Sequence, residues 1–129
     1  MPDTTQVSAK TESTKYRVRI AAGKNEVVAD EPADKGGGDT GASPYQILLS
    51  SLAACTAITL RMYAERKGWD TGEIAVDVSF ETEKGDTRIT RKLTFGKTMA
   101  EAEHERLIAV ANACPVHKVL TGKIAIATS

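Results

Sequence analysis

The order of patterned segments in this 129-residue chain predicts an α+β fold in two layers. Strands come first, then a long helix, a hairpin, two shorter helices and a last strand, so the chain does not alternate as βαβ units do. Three observations carry the expectation. Two pairs of stretches, YRVRI with EVVAD and EIAVDVSFETE with TRITRKLTFG, alternate apolar and polar residues around turn residues. The segment from Tyr45 to Lys67 is helical in pattern and, between Ile47 and Leu60, apolar nearly all round. TMAEAEHERLIAVANAC carries a single apolar stripe of Ala102, Leu107, Val110 and Ala111. No internal repeat is visible.

Each element has a local reason. Residues 1–14 are polar and rich in Thr, Ser and Lys, and read as a flexible N-terminal arm or a late-ordering edge; residues 15–129 form one domain. YRVRI, from Tyr16, is a strand, AAGKN turns the chain, and EVVAD returns it. EPADKGGGDTGASP, with two prolines and four glycines, is a long loop, of a size uncommon unless it serves a site or an interface. Its GGGDTG is too short for a phosphate cradle and follows no strand directly, so it reads as a crossover. Ser43 is the expected N-cap of the long helix, Pro44 its first residue, and Gly68 its stop behind Arg66 and Lys67. A helix without a polar face needs a larger body than one small sheet, which points to an obligate dimer. The next strand presents Ile74, Val76, Val78 and Phe80 on one face, and KGD turns it into its partner. Thr98 with Glu101 is the expected capping box of the second helix. Pro115 starts a short third helix, and KIAIAT is the expected last strand.

Composition excludes several classes. Formal net charge is zero and aromatics make up 5%, so neither phosphate neutralisation nor base stacking has the residues it needs; no nucleic acid is expected. The apolar fraction of 41% and charged fraction of 26% are those of a soluble globular domain. The opening residues hold no apolar h-region, and no run approaches the length that spans a bilayer; no membrane is expected, and a cytoplasmic location follows. In a reducing compartment two cysteines leave packing, metal and redox chemistry open. No CxxC exists, and His104 and His117 are the only histidines, an incomplete zinc set; neither a metal nor a cofactor is expected. Cys55 sits in the most apolar part of the long helix. Cys114 precedes Pro115 at the start of PVHKVL, where free N–H groups favour a thiolate and His117 can add charge.

GASPYQILLSSLAACTAITLRMYAERKGW followed by ANACPVHKVLTG resembles the OsmC/Ohr family, the osmotically inducible and organic hydroperoxide resistance proteins. VVADEP and GGGDTG resemble that family's approach to its central helix. The resemblance runs from residue 16 to the end. It implies an antiparallel sheet packed on a long central helix, in an intertwined homodimer. It also implies a cysteine-based peroxidase of oxidative-stress defence that acts on alkyl or lipid hydroperoxides. Cys55 then attacks the O–O bond and becomes a sulfenic acid, Cys114 condenses with it to a disulfide, and a dithiol or dithiol protein restores both. Leu52, Ile58 and Met62 beside Cys55 would give an apolar pocket, with Tyr45 and Gln46 at the helix start. A compensating cation is then required, since apolar surroundings raise a thiol pKa.

The chain departs from the resemblance at one point. Organic hydroperoxide resistance members pair a hairpin arginine with a glutamate just after the helix-starting proline; here Tyr45 and Gln46 follow Pro44. Arg17 and Arg19 on the first strand are the expected thiolate stabilisers, with His117 beside them and Arg61 a further cation. The missing glutamate favours the broader OsmC-like branch. It also keeps two rivals open: a non-catalytic module that binds a hydrophobic ligand, and a redox sensor that uses the same cysteine pair.

Overall fold

The computed structural model describes residues 4–129, so the first three residues of the expected arm lie outside the described residues. The architecture is α+β, with antiparallel sheets and a long helix, and it divides into two compact units that meet in the sequence at Leu48 and Leu49.

The first unit holds a three-stranded antiparallel sheet, β1 (Ser8–Thr11), β2 (Val18–Ala22) and β3 (Asn25–Ala29), in that order. β1 falls within the segment read as an arm or edge; it pairs with β2 from Ser8 opposite Ala21 to Thr11 opposite Val18 and is exposed throughout. Between β2 and β3 the turn is Gly23-Lys24, and Gly23 takes φ +64°, which the first central position of a tight hairpin turn demands.

The glycine-rich loop is a folded clamp around one carboxylate. Asp30, 2% exposed, accepts from the backbone N–H groups of Glu31 (2.8 Å) and Thr40 (3.1 Å) and from the Thr40 hydroxyl (2.6 Å). The Thr40 hydroxyl is the largest cause holding this carboxyl below its ordinary value, with backbone N–H groups adding to it against burial. Glycine is required by close approach: a Cβ on Gly41 would stand 2.3 Å from the Val28 carbonyl oxygen, and one on Gly37 2.0 Å from that of Glu31.

Helix α1 runs from Pro44 to Lys67. Its start is a reciprocal box: the Gln46 N–H donates to Ser43 Oγ (3.2 Å) and the Ser43 N–H to Gln46 Oε1 (2.9 Å). Its end is a Schellman turn, with Trp69 N–H on Ala64 O and Gly68 N–H on Glu65 O, Gly68 being left-handed at φ +71°.

In the second unit β4 (Ile74–Glu83) and β5 (Asp86–Phe95) form a ribbon closed by Lys84-Gly85, both at positive φ as a type I′ turn requires. Register pairs Ile74 with Phe95, Val76 with Leu93, Val78 with Arg91 and Phe80 with Ile89, so these eight side chains share one face. Leu60 of α1 packs with Leu107 and Ala111 of α2 (Glu101–Ala111), and Tyr63, Trp69, Ile74, Leu93 and Phe95 close around them. Helix α3 (Pro115–Thr121) completes the unit.

Three expectations are corrected. Helix α2 starts at Glu101, with Ala100 as N-cap; Glu103 Oε1 accepts from the Ala100 N–H at 3.0 Å, and alanine has no oxygen to return the bond. The expected KIAIAT strand does not form: among the described residues nothing pairs with 123–129, and Ile124 and Ile126 stand 59% and 87% exposed. A strand persists only when its ladder is filled. Finally, α1 is long and apolar enough to cross a bilayer, with a window of mean hydropathy 1.5, because only small hydroxyls interrupt it. The single chain buries one stripe of it, Leu52, Thr56, Leu60 and Ala64, and leaves Ile58 and Met62 exposed.

Candidate functional site

The two cysteines meet in the second unit. Cys114 is the N-cap of α3 and fully buried; Cys55 is half-buried on α1. Cys55 lies close enough to Cys114 for a side-chain hydrogen bond between the two thiols. Both are free thiols. The His117 backbone N–H donates to the same sulfur at 3.4 Å, and Thr56 Oγ1, one residue on from Cys55, lies 3.7 Å from it. Helical geometry explains the last contact: Thr56 continues the buried Leu52–Leu60 stripe, which faces the end of α2 and the start of α3.

A cation stands beside this cluster. Arg91 Nη1 donates to Thr56 Oγ1 at 3.0 Å, while Nη2 donates to Asn112 Oδ1 at 2.9 Å and to His117 Nδ1 at 3.0 Å. A guanidinium can only donate, so His117 Nδ1 is the acceptor in this contact. Among the described residues Arg91 has no carboxylate partner; its three acceptors are neutral. Burial pushes the Cys114 thiol up. The His117 N–H, Thr56, Cys55 and the Arg91 charge together outweigh it, and the thiol lies below its ordinary value.

Thr56 is where the network can change. Its single hydroxyl proton points at the Leu52 carbonyl oxygen, 2.7 Å away, while Arg91 fills one of its lone pairs. With a thiol at Cys114, Thr56 keeps that bond and can accept the S–H. With a thiolate, the same hydroxyl gains by turning to the sulfur.

A cavity of about 380 Å³ opens beside the cluster, with Arg91, Asn112 and His117 on its polar side and Leu52, Ile89 and Leu120 on its apolar side. The residues expected around Cys55 are divided. Leu52 lines this cavity, whereas Ile58 and Met62 line a separate surface depression with Arg61, whose guanidinium donates to the Gly72 carbonyl at 3.2 Å. In the first unit Gln46 caps α1 and Tyr45 is 66% exposed at the helix start. Arg17 and Arg19 are both paired with Glu12, and Arg19 also with Glu26. His117 is at the site, through its backbone N–H on Cys114 Sγ and its ring Nδ1 on Arg91.

Sequence reasoning missed Arg91, Thr56 and Asn112. For Arg91 a signal existed. In TRITRKLTFG the period-2 apolar face reads Ile89, Arg91, Leu93, Phe95, so one position of that face carries a charge.

Residues 36–129 match the family model described as OsmC-like protein. No curated protein matches the chain in sequence. Among solved structures, a putative osmotic stress induced and detoxification response protein from Psychrobacter arcticus 273-4 superposes with a TM-score of 0.77 at 22% identity, covering 92% of this chain and 90% of that one. An OsmC like protein from Mycoplasma pneumoniae gives 0.75 at 20%, covering 95% and 90%. The organic hydroperoxide resistance protein OhrB of Bacillus subtilis gives 0.63 at 24%, covering 93% and 92%. At these identities the likeness is one of fold.

Proposed function

Since this chain belongs to the OsmC-like protein family, we propose that it reduces organic hydroperoxides through its two cysteines, in defence against oxidative stress. The observation that carries this reading is the meeting of the sulfurs: a half-buried Cys55 within hydrogen-bond reach of a buried Cys114, beside an arginine with no carboxylate partner among the described residues. Cys55, the more accessible sulfur, attacks the terminal oxygen of the peroxide and becomes a sulfenic acid. Cys114 closes the disulfide before a second oxidation can follow, which is what an adjacent thiol is for. The mixed cavity, apolar on one side and bearing hydrogen-bond donors on the other, suits an alkyl or lipid hydroperoxide. A dithiol or dithiol protein returns the pair to thiols in a reducing, cytoplasmic setting. The exposed apolar residues of α1 support a homodimer as the acting form.

The test is steady-state consumption of cumene hydroperoxide with a dithiol reductant. Turnover is expected in the parental chain and lost in Cys55→Ser, with one intramolecular disulfide per chain after mild oxidation. Parental rates in Cys55→Ser would overturn the assignment. Stoichiometric oxidation without turnover would favour a redox sensor, and unchanged ligand binding with no oxidation a hydrophobic-ligand module.

A further inference from the structure

We propose that the cavity beside Arg91 is a binding site for an aliphatic monocarboxylate. The acid group pairs with the Arg91 guanidinium, and the tail lies against Leu52, Ile89 and Leu120. Such binding needs no peroxide, and it stands apart from the hydroperoxide reading.

Charge comes first. Arg91 shares a face of β5 with Ile89 and Leu93 and is half-buried. Its three acceptors, Thr56 Oγ1 at 3.0 Å, Asn112 Oδ1 at 2.9 Å and His117 Nδ1 at 3.0 Å, are all uncharged. They take its hydrogen bonds without balancing its charge, and no carboxylate among the described residues pairs with it. No Asp or Glu lines the cavity of about 380 Å³. None lines the neighbouring depression either, which shares Arg91 and Asn112 and carries Lys92 and His104. An anion entering here meets a guanidinium and no competing carboxylate. The three acceptors belong to α1, to the end of α2 and to α3, so the guanidinium is held in place before a ligand arrives. That lowers the cost of binding.

The rest of the lining selects the ligand. Leu52, Ile89 and Leu120 are aliphatic and no aromatic ring lines the cavity, so a flexible chain suits it better than a stacked ring. A planar guanidinium matches the geometry of a carboxylate, and one such cation suits a single negative charge. The cavity is at the small end of ligand sites, with room for a tail of about six to ten carbons.

Calorimetric titration of the reduced full chain at neutral pH with straight-chain carboxylates, butanoate to decanoate, tests the site. Affinity should rise about fourfold with each added methylene until the tail fills the cavity and the series levels. Octanol and methyl octanoate should bind at least about tenfold more weakly than octanoate, the scale of a lost charge-assisted contact. Arg91→Met, with its circular dichroism unchanged, should weaken octanoate by about tenfold or more, and Arg91→Lys should keep part of the affinity. Leu120→Gln should flatten the length series by weakening octanoate more than butanoate. Octanoate binding that Arg91→Met leaves unchanged would overturn the proposal, since the acid would then lie on another apolar surface, such as the exposed side of α1. Octanol that binds as tightly as octanoate would overturn it too, as would a parental chain that binds none of the series. A chain that binds octanoate through Arg91 yet reduces no peroxide would sink the hydroperoxide reading and leave this site standing.

Discussion

Thr56 and Asp30 show what one buried polar atom can decide. Thr56, with no exposed surface, donates to the Leu52 carbonyl at 2.7 Å, accepts from Arg91 at 3.0 Å and lies 3.7 Å from Cys114 Sγ. Thr56→Val keeps the shape and deletes all three contacts. It should lower the unfolding free energy by about 1–3 kcal/mol, because Arg91 loses an acceptor in a half-buried place; denaturant titration measures this. Asp30 works in the other unit and on acid rather than on thiol chemistry. Its folded carboxyl lies below the ordinary value, so the stabilisation is fully present above about pH 4, where the unfolded carboxyl ionises, and is lost as pH falls through the lower folded value. The stability difference between the parental chain and Asp30→Asn should therefore shrink steadily on acidification. A difference that stays constant with pH would remove Asp30 from the acid response.

β5 carries the clearest conflict between packing and chemistry. Its inward face is Ile89, Leu93 and Phe95 interrupted by Arg91, which pairs with Val78 across the ribbon. A position kept for packing would hold an aliphatic side chain, so Arg91→Met should leave the melting temperature within about 5 °C of the parent while peroxide turnover falls. Leu60→Ala is the contrasting case. That side chain is fully buried between α1 and α2, and the substitution should cost about 2–5 kcal/mol in urea unfolding. Most elements were legible because each has a local cause: Ser43, Pro44 and Gly68 bracket α1, and Gly23 and Gly85 set the hairpin turns; KIAIAT misled because its strand-like alternation finds no partner among the described residues. The capping of α2 was misplaced by two residues because Thr98–Glu101 and Ala100–Glu103 share one spacing, and only the fold chooses between them. Both cysteines were legible as a pair through their motifs. Arg91, Thr56 and Asn112 were not, because their meeting depends on the pairing of β5 with β4 and on which stripe of α1 is buried. No local pattern encodes either.

At the scale of the molecule, the apolar surface outruns what one chain covers. Ile58, Met62, Ile124 and Ile126 are all more than half exposed, and an α1 so nearly uniform in character buries only one stripe. Sedimentation should therefore find a dimer, and Ile58→Glu with Met62→Glu should yield monomers that keep their circular dichroism; a parental chain that sediments as a monomer would remove the proposed assembly. The alternation of KIAIAT, idle in a single chain, suits an edge strand of a larger sheet. The chain's only tryptophan adds a practical consequence. Trp69 lies edge-on to Tyr63 with ring centroids 5.7 Å apart, inside the core of the second unit, and the first unit has no indole at all. Intrinsic fluorescence is therefore a private gauge of one half of the protein. A melt in which ellipticity drops before the emission changes would reveal that the three-stranded sheet comes undone on its own, while the cysteine pair is still in place.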